Sequence, residues 1–417
     1  MADVTRGYRL MRAAQIGGVV VVLGLPSLLA SVFVLAAGGQ ARARRFRGRA
    51  LARTLERLGP AFIKFGQAAG TRRDVLSQEF CDELGRLHDA VRPMSGRDRA
   101  TALARAGFAP GTFAALGERP VASGSIACVY RGMLADGRAA AVKLKRPGID
   151  RRMRTDLSLV QTVVRACERL PQVKRMPLGD LVRYVSTAIL GQLDLAAEAV
   201  HTERLRACLR DFGSITVPRV LPGLSGPECI VMEFVDGLRR SAVDDLPSSV
   251  RADLTRTLMH AANAMIFGTG LVHCDMHPGN VYLLPPGRIV LLDAGYCVQL
   301  PASVQRLIGA FFTSLTAGDG HACAEVMLQC VTAPARPGDA EAFASGITAL
   351  VHQHAGPDFD FFAFGNGIFE LQRDHRLYGA PDFAFPIFAM QTLAGTAAAF
   401  APEVSFTEIG AGSIGAA

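Results

Sequence analysis

The sequence contains no CxxC pair and no internal repeat, and its nine cysteines are odd in number. A disulfide framework or a paired-cysteine zinc site would need such spacing, so we expect reduced, mostly buried thiols in a cytosolic domain. Half of the residues are hydrophobic, which excludes a disordered chain and allows one large core or two medium ones.

Net charge is lacking over most of the chain. Residues 1–60 contain ten arginines and two acidic residues, and this segment accounts for the whole formal charge of +8. The remaining residues are neutral by count, and no feature in them is typical of a protein that reads a base or a DNA groove. We therefore expect no nucleic-acid partner.

Charged residues are also absent from residues 16–39, IGGVVVVLGLPSLLASVFVLAAGG. This run is long enough for a helix to cross about 30 Å of hydrocarbon. Seven arginines follow it and three precede it, an excess that favours a single pass through the cell membrane with the rest of the protein in the cytoplasm. A cleaved signal peptide is the alternative, but the length of the run and the basic cluster behind it favour the span.

The spacing of apolar residues divides the rest of the chain into helical and strand-rich parts. Helices are predicted over residues 47–92 with an interruption at Pro60, over about 150–170, over 181–209, and over most of the chain after 244. The uncharged segment 383–400 is predicted as a buried helix, with a second membrane segment as the alternative. Strands are predicted as a hairpin within 113–146 around the turn ADG, then as SITVPRVL, CIVMEFV, NVYLLPP and RIVLLDAG. A mainly β lobe is therefore followed by a mainly α lobe.

The stretch LVHCDMHPGNVYLLPPGRIVLLDAG, residues 271–295, contains the residue types that phosphoryl transfer needs. Asp275 and Asn280 form D-x-x-x-x-N after His273, which is the spacing of a kinase catalytic loop. In that loop the aspartate orients the attacking hydroxyl and the asparagine binds Mg²⁺. Asp293 ends the following strand, where a second carboxylate can hold the metal against the phosphates.

Earlier features fit the same chemistry. Lys143 in AAAVKLK matches the strand lysine that binds ATP phosphates, and Glu198 on a later helix is its expected ion-pair partner. The loop ASGSIACVY would place backbone N–H groups over the phosphates, although it contains a single glycine. The nucleotide contacts predicted in this loop are Ala122, Ser123, Gly124, Ser125 and Ile126.

A zinc site is the alternative for the same stretch, because His273 and His277 stand four residues apart with Cys274 between them. Cys297 would have to be the fourth ligand, and HPGN predicts a turn instead of the helical face that lets HExxH bind zinc. We expect both histidines to stabilise the loop. The tripeptide DFG at 211–213 precedes the catalytic loop, so it is interpreted as a turn.

These motifs together resemble the UbiB (AarF) family of atypical protein-kinase-like proteins, from about residue 50 to about residue 405. The matching segments are GPAFIKFGQ, which resembles the family's KxGQ helix, the LSxEFxxELxxLxDxVxP tail behind it, VHCDMHPGN and the closing helix MQTLAGTAAAFAPEVSF. The chain departs from the family pattern at Cys128 in place of glutamine, at Gln192 in the ExD segment that keeps Asp194, and at Ala294 in place of the DFG phenylalanine.

The resemblance implies an α+β, bilobal protein-kinase-like fold with an N-terminal helical extension and one N-terminal transmembrane helix. It divides the chain into a tail and transmembrane helix at 1–40, a basic juxtamembrane segment and KxGQ extension at 41–110, a kinase-like N-lobe at 111–236 and a C-lobe at 237–417. It also adds Lys64, Gln67, Glu233 and Val235 to the nucleotide-binding residues.

The resemblance further implies binding of ATP with Mg²⁺, and ATPase or small-molecule kinase activity that supports isoprenoid quinone (ubiquinone-type) or related lipid biosynthesis. The expected partners are ATP, a membrane lipid or prenylated quinone intermediate, and biosynthetic partner proteins. The alternatives are a phosphotransferase of the aminoglycoside or choline kinase type, which lacks the KxGQ extension, and a non-enzymatic membrane adaptor gated by ATP. Protein kinase activity in trans is least favoured, because the extension would cover the site.

Overall fold

The computed structural model describes residues 6–70, 77–87, 92–168, 178–331, 336–354 and 361–404. The chain divides into two compact units, Met1–Ala196 with Leu224–Val231, and Ala197–Gly223 with Met232–Ala417. Each unit has a hydrophobic core of its own. The four segments expected from the resemblance stay a prediction, and Asp89 and Val91 of the tail motif lie outside the described residues.

Runs of helices and runs of strands occur in both units, as expected for an α+β fold. The α-helices are α1 (Arg6–Val19), α2 (Leu25–Leu58), α3 (Pro60–Gly70), α4 (Gln78–Leu84), α5 (Gly96–Ala106), α6 (Ile149–Cys167), α7 (Leu178–Gly191), α8 (Leu195–Cys208), α9 (Ser248–Asn263), α10 (Ala302–Thr316), α11 (Gly320–Gln329), α12 (Pro337–His354), α13 (Phe361–His375) and α14 (Pro381–Phe400). The strands are β1 (Phe113–Leu116), β2 (Ala122–Ser123), β3 (Ala127–Leu134), β4 (Ala139–Lys145), β5 (Ile215–Thr216), β6 (Cys229–Glu233), β7 (Leu271–His273), β8 (Val281–Leu284), β9 (Arg288–Leu291) and β10 (Cys297–Gln299).

The N-terminal helices form a hairpin. One stretch, Arg6–Leu35, is long and apolar enough to cross a membrane by length and composition. Helix α2 is interrupted at Gly39, whose φ of 75° lies in the left-handed region that glycine adopts readily. The Arg47 side chain donates a hydrogen bond to Ser31, 16 positions earlier in the chain. Such a contact requires the chain to fold back, so the basic segment lies beside the apolar helix that it follows.

The predicted interruption at Pro60 is confirmed, because α2 ends at Leu58 and α3 begins at Pro60. Proline is favoured at this first helical position, where its missing N–H has no partner to lose. Helix α3, which carries the KxGQ motif, packs with α2, α4 and α6 into one core. A methyl group on Gly66 would approach side-chain carbons of Leu87 and Leu55 to 2.4 and 2.7 Å. The glycine of the motif is therefore needed for close packing.

The predicted hairpin of the first unit is confirmed. β3 pairs antiparallel with β4, in a sheet of order β1-β3-β4-β6 in which β2 also pairs with β3. Side chains alternate between the faces of a strand, and β4 buries Ala140, Val142 and Leu144. Lys143 therefore points to the face opposite these core residues.

The predicted single helix over 181–209 is wrong. Helix α7 ends at Gly191, and α8 begins at Leu195. The Asp194 carboxylate accepts a hydrogen bond from the N–H of Ala196 (3.1 Å), as an aspartate in front of a helix commonly does. The break therefore falls at Gln192 to Asp194, the segment that matches the family's ExD pattern. The helix that follows it, α8, carries Glu198 in its first turn.

In the second unit two small sheets position the site. β8 and β9 form an antiparallel hairpin, with β5 parallel to β9, and β7 pairs with β10. α9 and α14 pack on this region, whereas α10 to α13 build a second apolar cluster. Phe383, Met390, Leu393 and Ala397 of α14 are buried, so the prediction of a buried helix is confirmed.

Candidate phosphoryl-transfer site

The catalytic loop runs from the end of β7 to the start of β8 and is held by His273. This imidazole is buried, and its Nδ1 accepts a hydrogen bond from the N–H of Asp275 (3.2 Å). Burial lowers the pKa of His273, although the charges of Asp275 and Asp293 and a hydrogen bond to the Leu292 backbone oppose the effect. The neutral ring fixes the loop, so the expected supporting role is confirmed.

His277 stabilises the HPGN turn in a similar way. Its Nδ1 accepts a hydrogen bond from the N–H of Gly279 (2.9 Å), and its carbonyl accepts one from the N–H of Asn280 (2.8 Å). Its Nε2 lies 3.6 Å from the Asp275 carboxylate. Within the described ranges, no three histidine, cysteine or acidic side chains are grouped so that they alone could hold a metal ion. Both histidines therefore have structural partners, and the geometry does not favour zinc.

Asn280 is fixed by Asp275. Its amide nitrogen donates hydrogen bonds to the Asp275 carbonyl (3.0 Å) and carboxylate (3.3 Å). The backbone carbonyl of Asn280 accepts a hydrogen bond from the backbone N–H of Leu292 (2.9 Å), the residue next to Asp293. With the nitrogen used in this way, the amide oxygen of Asn280 is the atom suited to bind a cation.

Asp293 stands in a tight turn with φ of 57° and accepts a hydrogen bond from the N–H of Gly295 (3.2 Å). A methyl group on Gly295 would lie 2.9 Å from Asp293 Oδ1 and 3.3 Å from Glu198 Oε2. The missing side chain thus leaves space beside two carboxylates. Burial chiefly, and then the charges of Asp293, Glu198 and Asp275, raise the pKa of the Cys297 thiol. Two carboxylates this close, Asp293 and Glu198, favour a cation between them.

Ala294 is buried in the core of the second unit. It stands where the family pattern has phenylalanine, so a methyl group fills this position instead of an aromatic ring. The carboxylate of Asp293 is unaffected by the exchange. At the other side of the loop, Thr396 of α14 donates a hydrogen bond to the carbonyl of Met276 (2.7 Å). The closing helix therefore contributes directly to the shape of the catalytic loop.

In the first unit, the predicted phosphate loop turns between β2 and β3. The N–H of Gly124 donates to the carbonyl of Ala127 (2.9 Å). The Ser125 hydroxyl is buried without a hydrogen-bond partner, and the Ile126 side chain lies in the core. A buried hydroxyl without a partner is unfavourable, and a phosphate oxygen would satisfy it. Ile126 can face a ligand only through its backbone.

Arg146 fixes this loop, a role that the sequence analysis missed. Its Nε donates to the carbonyl of Gly124 (2.9 Å), and its Nη2 donates to the Ser123 hydroxyl and to the carbonyl of Arg92 (both 2.9 Å). Its backbone N–H donates to the carbonyl of Ile126 (2.8 Å). The only signal in the sequence is a basic residue directly after the lysine-bearing strand.

The structure places the remaining predicted residues within their own units. Lys143 lies in the first unit and Glu198 in the second, and their ion pair stays a prediction. Gln67 donates a hydrogen bond to the carbonyl of Leu87 (3.0 Å), which ties α3 to the segment that follows α4. Nucleotide contacts of Lys64 and Gln67 likewise stay predictions.

At the end of β6, the N–H of Glu233 donates to the carbonyl of Arg219 (2.9 Å). Val235 is buried in a small cluster with Leu284 and Val290. Its side chain therefore serves packing, and any contact with a nucleotide would have to come from its backbone. The expected nucleotide contacts of Glu233 and Val235 stay predictions.

The strand lysine, the catalytic loop and the aspartate after β9 follow one another as they do in kinase-like proteins. The sequence model of the ABC1 atypical kinase-like domain matches residues 86–327, which is more than half of the chain. The chain therefore belongs to the ABC1 atypical kinase-like family. The resemblance to UbiB proteins is confirmed, together with the kinase-like fold of mixed helices and sheets.

Curated relatives agree with this assignment, and a solved structure has a similar fold. The chain is 28% identical to a probable protein kinase UbiB of Shewanella baltica over 343 residues, covering 79% of this chain and 62% of that protein. It thus spans about three fifths of the length of such relatives. It is 27% identical to the uncharacterized protein slr0889 of Synechocystis, covering 67% and 72% of the two chains. Rv3197 of Mycobacterium tuberculosis, solved in complex with erythromycin, has a similar fold, with a TM-score of 0.53, 19% identity and coverage of 80% and 87%.

Proposed function

We propose that this protein is an atypical kinase or ATPase that uses Mg²⁺ and ATP and transfers the terminal phosphoryl group to water or to a small-molecule or lipid acceptor. The observation that carries the proposal is the pair of carboxylates beside Gly295, Asp293 and Glu198, together with the hydrogen bonds that hold Asn280 on Asp275 in the neighbouring loop. These side chains have the oxygen ligands and the negative charge that Mg²⁺ prefers.

The protein's residues would divide the work as follows. Asn280 and Asp293 would hold Mg²⁺, whose charge would offset that of the phosphates. Asp275 would orient the hydroxyl of the acceptor and accept its proton, since the neutral ring of His273 holds its backbone in place. Lys143 would bind the α and β phosphates, with Glu198 as its partner.

The phosphate loop and the extension would complete nucleotide binding. Backbone N–H groups of Ala122 to Ile126 and the unpaired hydroxyl of Ser125 would surround the phosphates. Arg146 would keep this loop in shape, because it donates hydrogen bonds to Gly124 and Ser123. Lys64 of the KxGQ helix would limit access to the nucleotide.

The acceptor and the pathway are proposed from the family. Since relatives carry the name UbiB, we propose a role in isoprenoid quinone or related lipid biosynthesis at the cytoplasmic side of the cell membrane. A prenylated intermediate stays in the bilayer, and the apolar helical stretch Arg6–Leu35 would bring the enzyme to it.

The test is ATP hydrolysis by the purified full-length protein with and without lipid vesicles. We expect hydrolysis that requires Mg²⁺, falls roughly a hundredfold in Asp275→Asn, and changes in rate or ATP affinity in Lys64→Ala. Isothermal titration with a non-hydrolysable ATP analogue would separate binding from chemistry. Absence of Mg²⁺-dependent nucleotide binding would contradict the proposal. Normal quinone levels in cells that carry only Asp275→Asn would instead support the adaptor alternative.

A further inference from the structure

The N-terminal hairpin, residues 6–58, has an apolar arm and a basic arm that lie side by side. The chain reverses at Gly39, and Arg47 Nε lies 3.2 Å from the hydroxyl of Ser31, in the middle of the apolar run. In an unbroken helix these two residues would be about 24 Å apart along the axis. The basic arm therefore accompanies the apolar arm instead of continuing beyond it.

The apolar arm exposes a stripe of large side chains. Val22, Leu29 and Phe33 are 68, 68 and 76% exposed, the highest values for large apolar side chains in the described part of the chain. Leu29 and Phe33 are four residues apart in α2 and share a face of it, and Val22 precedes them in a short π-helical segment, Val20–Gly24, in which Val20 and Val21 are exposed as well. Single exposed apolar residues are ordinary, but a set of them along one arm indicates a surface that something covers.

The basic arm supplies the matching charge. Arg42, Arg44 and Arg45 are exposed along it. If the folded hairpin entered the hydrocarbon end-on, Arg47 beside Ser31 would enter with it, and a guanidinium is costly there. If the hairpin instead lay along the surface, the apolar stripe would reach below the head groups. The arginines would then remain among the phosphates.

The hairpin is also fixed to the first unit. Arg12 Nε and Nη2 donate to the two oxygens of the fully buried Asp156 at 2.6 and 2.9 Å, and Nη2 also donates to the carbonyl of Leu58 (2.6 Å). Arg49 pairs with Glu83 of α4 (3.0 Å). A buried two-point ion pair of this kind holds the hairpin in one orientation on its unit. The stripe therefore has a fixed direction relative to the core of that unit.

We propose that the folded hairpin lies in the surface of an anionic bilayer and enters one leaflet only, with Val22, Leu29 and Phe33 below the head groups and the arginines among them. The proposal rests on the membrane association proposed above and specifies its geometry. It does not depend on ATP chemistry, so hydrolysis and membrane insertion can fail separately.

The first test measures depth. The sequence contains no tryptophan, so Leu29→Trp and Phe33→Trp each introduce a single fluorescent probe. In vesicles of phosphatidylglycerol and phosphatidylcholine with brominated chains, we expect both probes to be quenched most by bromine near the head groups and to equal extents. Val163→Trp, also an exposed apolar position but on α6, is the control and should not be quenched. A probe at Leu29 that is quenched most by bromine at the chain ends would show a crossing helix and overturn the proposal.

The second test measures charge. Replacing Arg42, Arg44 and Arg45 together by glutamine should weaken binding of the full-length protein to phosphatidylglycerol vesicles roughly a hundredfold. Binding to pure phosphatidylcholine should change little. The control replaces three exposed arginines elsewhere, Arg97, Arg119 and Arg204, and should retain binding.

Two further outcomes would overturn the proposal. Equal losses in both triple variants would mean that general charge, and not the hairpin, drives binding. The other outcome is a wild-type dimer that becomes a monomer in the Phe33→Ser variant, measured by sedimentation, with vesicle binding unaltered. It would mean that a second copy of the chain covers the stripe.

Discussion

The catalytic loop and the phosphate loop reach a defined shape by different means. In the catalytic loop, the side chains of His273 and Asn280 are bonded to Asp275 within eight positions of sequence, and Thr396 of α14 adds one hydrogen bond to the backbone of Met276. The phosphate loop is held from outside, by Arg146, which is more than 20 positions from Ser123 and Gly124. A loop with internal partners must keep its residue types. A loop that is held by a residue outside it can change its residue types, and the phosphate loop of this chain contains a single glycine.

The largest effect is expected from replacing Asp293, a proposed Mg²⁺ ligand. Asp293→Asn removes a proposed Mg²⁺ ligand while keeping the shape of the side chain, so ATP hydrolysis should fall by roughly a hundredfold or more. Phosphate release at saturating ATP measures this. Asp211→Asn is the matched control, because Asp211 belongs to the DFG turn between α8 and β5. Equal losses in the two variants would contradict the assignment of Asp293.

A smaller effect is expected from filling the space beside the carboxylates. In Gly295→Ala the new methyl group would lie 2.9 Å from Asp293 Oδ1, so one of the carboxylates must move. We expect the Mg²⁺ concentration for half-maximal nucleotide binding to rise about tenfold, since misplaced ligands bind the ion less well. In the control Gly309→Ala, no atom lies within 4 Å of the added methyl group. An unchanged Mg²⁺ requirement in Gly295→Ala would show that the ion binds elsewhere.

The hydrogen bonds from Arg146 to the phosphate loop can be removed without changing the catalytic loop. Arg146→Gln loses the charged hydrogen bonds to Gly124 and Ser123, so the KM for ATP should rise about tenfold with little change in kcat. Steady-state kinetics with varied ATP measure the two constants. Arg138→Gln, at the exposed turn of the same hairpin, is the control. A fall in kcat without a change in KM would show that the two loops are not independent.

The smallest effect is expected from the protonation of His273 in the catalytic loop. Burial lowers the pKa of His273, so the unfolded state binds the proton more readily. Above the unfolded pKa of about 6.5, His273 is unprotonated in both states and does not oppose folding. As the pH falls below that value, the unfolded state binds the proton first, so the free energy of unfolding decreases by at most about 1.4 kcal/mol per pH unit. Urea unfolding of wild type and His273→Gln at pH 5.5 and 7.5 measures the slope. An equal slope in the His273 variant would contradict the assignment.

Much of the fold was predictable from the sequence. The β3–β4 hairpin, the interruption at Pro60 and the buried helix α14 follow from local spacing and from proline and glycine chemistry. The break between α7 and α8 was not predicted, because apolar spacing continues through residues 191–195 and Asp194 reads equally well within a helix or in front of one. The reversal at Gly39 was also missed, since a glycine in an apolar run is compatible with a membrane span.

The candidate site shows the same division. Asp275, Asn280 and Asp293 were predicted because the proposed phosphoryl transfer requires particular residue types at fixed spacing. Arg146, Gly295 and Thr396 were missed, since an arginine, a glycine and a threonine are ordinary residues until their neighbours are known. Arg12 and Asp156, which fix the hairpin, are 144 positions apart, and no local pattern joins them.

By itself, the sequence determined which side chains are available for the proposed chemistry with phosphates and a divalent ion, and in which order they occur. It also determined that an apolar run and a basic segment lie at the N-terminus. Only the tertiary structure decided how these groups are held, by the arginine on the phosphate loop, the open space at Gly295 and the folded hairpin. The reason is physical, because residue type and short spacing fix local geometry, whereas contacts between distant segments exist only once the chain has packed.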